Sequence, residues 1–540
     1  MKYINKTLLI AIAFIAITGC KKLDIAPTDR FSDLTFWTVD ENVTNALNNN
    51  YSLMYNSSLY FDPEALSDNA FSPSGDLNLI ASGNATSLTA KFQGDWAYYY
   101  SSIKSVNIFL ENVDQNTTLP AATKARMKAE NQFMRAFALF NLTKWYGDVP
   151  VPDHNLTPEE AQVIARTPKA EVYAYIISQL NEAIVNLPSQ DQLLASENGR
   201  ITKGAALALQ MRALLYQGNK NTEVIAVCEK LMNEQSTYGT YSLAPSYSGL
   251  FSDPATNKTN TETILSLQYV PTIRTWQNYW DFAPRSVGGR VSNMAPTQEL
   301  VNDYIMLNGR AINEAGSGYS ENTPYINRDP RLTATVVYDG YTWVNANNTT
   351  KTIYIKPGTD PVRPGLDEYT PGSQSASATG YYWRKYFDPI ALSSFVSGNN
   401  LHLFRYAEVL LTYAEAKNSV GQMDASVWSK TIGALRSRAG FTDPGALNMP
   451  AGDLTNVIRR ERRVELAMEG LRVDDIRRWK VAEVTMNGYA HGAKFGTDPN
   501  IDGGYIRTQQ RRFNSQRDYL WAIPSNEVSL NKNLTQNPGY

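Results

Sequence analysis

Apolar positions recur at helical spacing over most of the chain. Between Trp96 and Val113 they fall at Tyr99, Ile103, Val106 and Leu110. Between Ala129 and Trp145 they put Phe133, Ala136, Phe137 and Phe140 on one face, with Gly147 and Pro150 as the stop. Lys169 to Asn186 predicts a further helix, halted by Pro188, and the stretch from Phe31 to Asn56 contains another. From Ser57 to Gln93 the periodicity lapses into Ser, Asn, Gly and Asp around Tyr60, Phe61 and Phe71, which predicts a long loop of the kind that usually carries function.

Two pairs of helices share one design. Ala205 to Tyr216, a turn at Gly218 and Thr222 to Glu234 form a hairpin close to the ~34 residues of a tetratricopeptide unit. Small Ala205, Ala208 and Ala213 lie beside larger Leu209 and Tyr216. Leu403 to Asn418, a turn at Gly421 and Asp424 to Arg438 repeat the arrangement. Such pairs cannot bury their apolar faces alone, so they stack on one another into a superhelix.

Between Tyr238 and Asn400 this pattern breaks into short strand-like runs, Thr263 to Val270, Leu332 to Tyr338 and Thr352 to Ile355, separated by Pro, Gly and Asn clusters. The predicted class is mainly α: a tetratricopeptide-like helical superhelix with an irregular, loop-rich subdomain. Scaffold would occupy residues 29–237, with a loop insertion near 57–93. The irregular, aromatic-rich region would occupy 238–400, and scaffold would resume over 401–540.

The densest charge lies in Ile458 to Trp479, IRRERRVELAMEGLRVDDIRRW, in a chain only 19% charged. Val457, Val464, Met468 and Leu471 form an apolar stripe that also carries Glu461, so one helix is expected here, with at least one carboxylate pointing inward. A buried carboxylate needs a partner, and Arg459, Arg460, Arg462, Arg463 and Arg472 are the candidates.

At the N-terminus, Lys2 and Lys6 precede an apolar run from Leu8 to Ile17 and then Ile17-Thr18-Gly19-Cys20. The run is too short to span a membrane and has the form of a signal segment. Residues 1–19 are therefore expected to be a lipoprotein signal peptide, Cys20 the lipidated residue and 20–28 a tether. Cys228, the one other cysteine, sits among Val224, Ile225, Leu231 and Met232 and predicts core filler.

Candidate chemistry narrows quickly. The formal net charge of −2 and pI near 6.1 imply no broad attraction to nucleic acid. His154, His402 and His491 do not have the HExxH spacing of a zinc site, and neither a GxSxG elbow nor a GxxxxGK phosphate loop is present. No cofactor or metal is expected. Glu461, Glu465 and Glu469 recur every four residues, but arginines beside them favour ionised carboxylates, the opposite of what a glycosidase acid needs. What stands out is 32 Tyr and 10 Trp. Sugar rings pack their C–H faces on such rings while their hydroxyls seek Asp, Asn or Arg. Trp276, Tyr279 and Trp280 in RTWQNYWDFAPR, with Tyr341 and Trp343 in DGYTW, are the candidate platform. Tyr60, Phe61, Asp68, Asn69 and Phe71 are the second choice.

Four stretches resemble the SusD/RagB family of nutrient-binding outer-membrane lipoproteins of Bacteroidetes: AENQFMRAFALFNLTKWYGDVPV, LFRYAEVLLTYAEAKN, ERRVELAMEGLRVDDIRRW and the terminal YLWAIPSNEVSLNKNLTQNPGY. The resemblance implies a tetratricopeptide-like scaffold bearing a variable ligand-binding subdomain. It also implies a surface lipoprotein that captures oligosaccharides without cleaving them and passes them to a SusC-like TonB-dependent transporter. No family motif covers the ligand-binding region. A peptide-binding member of the same family, a glycan-active hydrolase and a repeat protein that binds only other proteins are the alternatives.

Overall fold

The computed structural model describes residues 33–73, 75–277, 281–345, 347–362, 365–373, 375–388 and 396–540. Cys20, Tyr279 and Trp280 lie outside them. The long helices are α1 (Asp40–Met54), α2 (Ser57–Ala65), α3 (Ala90–Asn112), α4 (Ala121–Tyr146), α5 (Lys169–Asn186), α6 (Lys203–Leu215) and α7 (Asn221–Asn233). After an irregular stretch holding the short α8 (Gln298–Asp303) and α9 (Pro330–Thr335) come α10 (Tyr406–Ser419), α11 (Thr455–Glu465) and α12 (Arg472–Arg478).

From α3 to α7 each helix packs on the next in sequence, α3 on α4, α4 on α5, α5 on α6 and α6 on α7, while α1 packs on α3 and α4. The next partner of α7 is α10, so the stack continues across residues 238–400 as though they were absent. Strand β2 (Thr263–Leu267) near the start of that excursion pairs antiparallel with β8 (Leu401–Arg405) at its end, Leu267 opposite Leu401. The excursion is therefore an insertion whose two ends are stitched together. Helix α6 can sit inside the stack because its surface is mostly small and apolar, and its buried Arg212 is paired with Glu408. Every residue from Gly204 to Leu215 is buried, and Thr202 caps its start by accepting from the Ala205 N–H at 3.2 Å. Trp96, Trp145 and Cys228 are core, as their spacing predicts.

Several elements differ from the sequence expectation. The predicted loop at 57–93 contains α2 and a helix at Gly75–Ala81, and α3 begins at Ala90. Asn56 starts α2 by accepting from the Leu59 N–H at 2.9 Å, and buried Tyr60 and Phe61 hold it to the core. Leu332 to Tyr338 opens as helix α9, because Asp329 caps it and Pro330 supplies the first-turn φ; only β4 (Val336–Val337), paired with β7 (Tyr382–Trp383), is strand. Asp424 to Arg438 is broken by a π-helical turn at Ser429–Gly433.

The charge-rich Ile458–Trp479 stretch is two helices, not one. Helix α11 ends at Glu465, and the chain turns through Met468 (φ 64°) and Gly470 (φ 73°) before α12. A Cβ on Gly470 would lie 2.4 Å from the Tyr60 carbonyl oxygen, so only glycine allows the turn to dock against α2. The turn brings Glu469 to Arg405, both of whose Nε and Nη2 contacts measure 2.8 Å. Glu461 is buried as expected, but its partners come from other elements: Arg331 and Arg436, each at 2.7 Å. Glu465 accepts from Arg331 (2.8 Å), Arg405 (2.7 Å) and Arg438. Although burial pushes its pKa up, Arg438, Arg405 and Arg331 outweigh that and hold it well below the ordinary range. Own-stretch arginines turn elsewhere: Arg462 to Asp475, Arg463 and Arg472 to Asp68. The stretch is the clamp that joins insertion and scaffold, because its carboxylates are neutralised from both.

Candidate functional site

The described members of the sequence-nominated platform are buried. Trp276 is 2% exposed, Tyr341 6% and Trp343 0%. Trp276 packs on Phe61 and donates its indole N–H to the Asn399 carbonyl at 2.8 Å. Trp343 lies against Phe387 with the Arg384 guanidinium 4.5 Å from its ring centre. Strand β5 (Tyr341–Val344) alternates strictly, with Tyr341 and Trp343 inward and Thr342 and Val344 outward, and an aromatic count cannot reveal which way that register falls.

The second-choice set is also structural. The Tyr60 hydroxyl bonds that of Tyr386 at 2.6 Å, and Phe61 packs between Trp276 and Phe282. Asp68 pairs with Arg463 and Arg472, and Asn69 donates to Glu64 while accepting from Arg463. Phe71 is buried in β1 (Ala70–Phe71), paired with β3 (Ala295–Pro296).

A different aromatic surface opens on the insertion. A cleft of about 860 Å³ is lined by Tyr319, Tyr325, Tyr338, Tyr341, Tyr381, Tyr505 and Phe495, together with Glu321, Asp339, Lys356 and Lys494. Its floor is made by the turn at Asp339-Gly340, where Gly340 takes φ 78° and the Tyr341 N–H returns to the Tyr338 carbonyl at 3.1 Å. That turn sets Tyr338 and Tyr341 side by side, ring centres 5.4 Å apart and nearly perpendicular. Asp339 Oδ1 accepts from the Ile355 and Lys356 N–H groups at 2.8 and 2.9 Å, fixing the turn to the irregular segment that follows β6 (Thr350–Ile353).

One wall comes from residues 319–328. Arg328 pins it, donating to the carbonyls of Pro324 (2.7 Å), Val301 (2.6 Å) and Tyr304 (2.9 Å). Tyr325 thereby stacks on Tyr338 with ring centres 4.0 Å apart and planes 18° from parallel. Its hydroxyl meets that of Tyr381 at 3.3 Å, and Tyr381 in turn donates to Gln298 Oε1 at 2.6 Å. The opposite wall is the loop between β9 (Gly488–His491) and β10 (Arg507–Arg511), closed by Gly496 N–H to Gly504 O at 2.8 Å. It carries Phe495 and Tyr505. Glu321 bridges the walls, accepting from Tyr319 (3.4 Å), Tyr505 (3.3 Å) and Lys494 (3.4 Å). Burial and then the Glu321 charge push the Tyr505 hydroxyl up to about 12, so it remains a donor at neutral pH. Tyr319, Tyr325, Tyr338, Phe495 and Tyr505 are half-buried: the cleft offers ring surface, hydroxyls, two carboxylates and two ammonium groups.

A smaller depression of about 500 Å³ lies beside α2 and α3, lined by Asn56, Asp62, Asp76, Lys91 and Tyr98 among others. It is polar, and Lys91 sits between Asp62 (3.1 Å) and Asp95 (3.2 Å). Among the described residues no group of three or more His, Cys, Asp or Glu side chains is placed to hold a metal. His402 is a structural histidine: burial lowers its pKa to about 4, and the neutral ring joins Thr263 Oγ1 (2.9 Å) to the Leu250 carbonyl (3.1 Å). No described helix is long and apolar enough to cross a membrane.

Of the cleft's rings, sequence reasoning nominated Tyr341 alone, as part of the candidate platform, and it missed Tyr319, Tyr325, Tyr338, Tyr381, Phe495 and Tyr505 as site residues. The signal for Tyr319 and Tyr325 is their place in GSGYSENTPY, a turn-rich stretch with few apolar residues to bury a ring.

The chain matches the family model described as "SusD family" over residues 228–540 and that described as "Starch-binding associating with outer membrane" over residues 24–215. It is 24% identical to SusD-like protein P2 of Formosa agariphila over 98% of each chain. It is also 24% identical to a SusD-like protein of Bacteroides ovatus, over 86% of this chain and 80% of that one. Among solved structures, a SusD-like carbohydrate-binding protein from Bacteroides fragilis superposes with a TM-score of 0.82 at 29% identity, covering 93% of this chain and 100% of that one. A laminarin-binding SusD-like protein has the same fold, with a TM-score of 0.65 at 22% identity over 93% and 99%.

Proposed function

The chain belongs to the SusD family, and on that premise we propose that it is a surface lipoprotein, anchored in the outer membrane through Cys20, that binds an oligosaccharide in the Tyr325–Tyr338 cleft. It would hold the glycan without cleaving it and pass it to a SusC-like TonB-dependent transporter. The observation that carries this reading is the cleft itself. Two stacked, half-buried tyrosines and three further half-buried rings face a volume of about 860 Å³ rimmed by hydroxyls and charges. Saccharides need that mixture: flat apolar surface for the C–H faces and polar groups for the ring edges. Binding without catalysis is supported by the state of the carboxylates. Glu321 accepts from Tyr319, Tyr505 and Lys494, and Asp339 Oδ1 is taken by backbone N–H groups. Neither is placed as a free acid beside a free base.

A glycan array probed with the chain from Lys21 onward, run beside a peptide array, tests the ligand class. Saturable capture of a set of related oligosaccharides, recovered intact, is expected. Capture of peptides alone, or release of new reducing ends, would overturn the reading.

A further inference from the structure

A second large cleft, of about 940 Å³, lies on the helical scaffold and shares no lining residue with the tyrosine cleft. It is bounded by the end of α4, the first turn of α5, the turn after α6, the end of α12 and the C-terminal segment. Seven of its lining side chains are basic and two are carboxylates. Part of that charge is balanced, by Lys144 with Asp474 at 2.9 Å and Arg517 with Asp518 at 2.6 Å. Arg478 is taken by Glu415 and Asp475.

Four cations have no carboxylate in direct contact: among the described residues Arg166, Lys169, Arg477 and Lys480 make no ion pair. Arg166 gives its hydrogens to neutral acceptors, the Asp148 carbonyl (2.8 Å), the Thr535 carbonyl (2.6 Å) and Asn537 Oδ1 (2.6 Å). Arg477 donates to the Tyr519 carbonyl at 3.0 Å and lies over the Trp145 ring. The Lys480 ammonium sits 3.9 Å from the centre of the Tyr519 ring. Burial depresses the pKa of Lys169, and Lys480 and Arg477 push it the same way as like charges, outweighing the opposing pull of Asp148 and Asp474. Lys169 is also the first residue of α5; Pro168 offers no side-chain cap, and the Lys169 N–H donates instead to Asp148 Oδ1 at 2.8 Å. Like charges held together around a solvent-filled space raise the energy of the empty cleft, and an anion relieves it.

We propose that this cleft binds a ligand bearing two or more oxyanionic groups, carboxylate, sulfate or phosphate. The proposal does not depend on the carbohydrate reading of the tyrosine cleft. Such a ligand is either a free inorganic oxyanion or a saccharide carrying acidic groups. Three probes separate these sources, measured by calorimetric titration at ionic strength matched with sodium chloride: sodium sulfate, sodium phosphate and trigalacturonate.

Saturable binding of at least one probe is expected. Trigalacturonate binding tenfold or more tighter than the inorganic ions identifies an acidic saccharide, and comparable affinities identify a free oxyanion. The double variant Lys169→Gln, Lys480→Gln should lose at least tenfold in affinity, while its unliganded melting temperature holds or rises because repulsion is removed. Lys480→Arg should retain binding, and Tyr338→Ala should leave it unchanged. Absence of any response beyond the chloride control would overturn the proposal. So would equal binding by the double lysine variant, or loss of binding on Tyr338→Ala alone.

Discussion

Arg212 on α6 and Glu408 on α10 are joined by two parallel hydrogen bonds, Nε to Oε1 at 2.7 Å and Nη2 to Oε2 at 2.6 Å, across 196 positions of sequence. Both are buried. The pair spans the point where the insertion leaves and rejoins the scaffold, so it fixes how the two halves of the helical stack meet. Arg212→Ala leaves Glu408 buried with only Arg462, at 3.7 Å, as a nearby cation. It should destabilise the protein by about 3–5 kcal/mol, whereas Arg212→Met combined with Glu408→Leu should recover much of that loss. Denaturant unfolding of the three proteins checks both outcomes.

Much of this scaffold is legible in the sequence, because helix spacing and stop signals are local. Lys169–Asn186 is predicted to the residue, and the neighbours of α6 follow from its small side chains. What is not legible depends on contacts made at long range. Ile458–Trp479 has one continuous helical pattern, yet Gly470 must turn to meet the Tyr60 carbonyl, and nothing within the stretch encodes that approach. The candidate site suffers most. Tryptophans in turn-rich segments suggested exposure, but the side of a strand on which Trp343 falls is set by its partners Phe387 and Arg384, some forty residues away. Tyr325 and Tyr338 become neighbours only because Arg328 reaches the carbonyls at the end of α8.

His491 on β9 bonds Glu299 through Nδ1 at 2.7 Å and Asp502 through Nε2 at 2.9 Å, tying α8 to the wall that carries Tyr505. The hydrogen bond to Glu299 is the main cause of a raised pKa; burial opposes it and Asp502 adds to it. A raised folded-state value means the contribution is complete below the ordinary histidine pKa of about 6.5 and is lost as pH rises through the folded value. Amide exchange over residues 488–511 should therefore quicken as pH is raised above neutrality, beyond the intrinsic base-catalysed increase. His491→Gln should show only the intrinsic increase.

If the proposed lipid anchor sits on Cys20, Cys20→Ala should give a folded protein that no longer fractionates with the outer membrane, since such an anchor would hold the chain without contributing to its packing. An undiminished, salt-resistant membrane pool of this variant would show that attachment runs through another part of the molecule.

Titration of Tyr338→Ala with the oligosaccharide selected on the array is the most direct test of the binding cleft. On the proposed reading the half-buried Tyr338 ring would contribute to ligand contact more than to the core, so affinity should fall about tenfold, equivalent to ~1.4 kcal/mol, with little change in melting temperature. Tyr325→Ala should behave alike, because the two rings stack as one surface. Trp343→Phe, inside the core, should leave affinity unchanged. Full affinity in Tyr338→Ala and Tyr325→Ala, with loss instead on Tyr98→Ala or Lys91→Ala, would contradict the assignment and move the site to the depression beside α2 and α3.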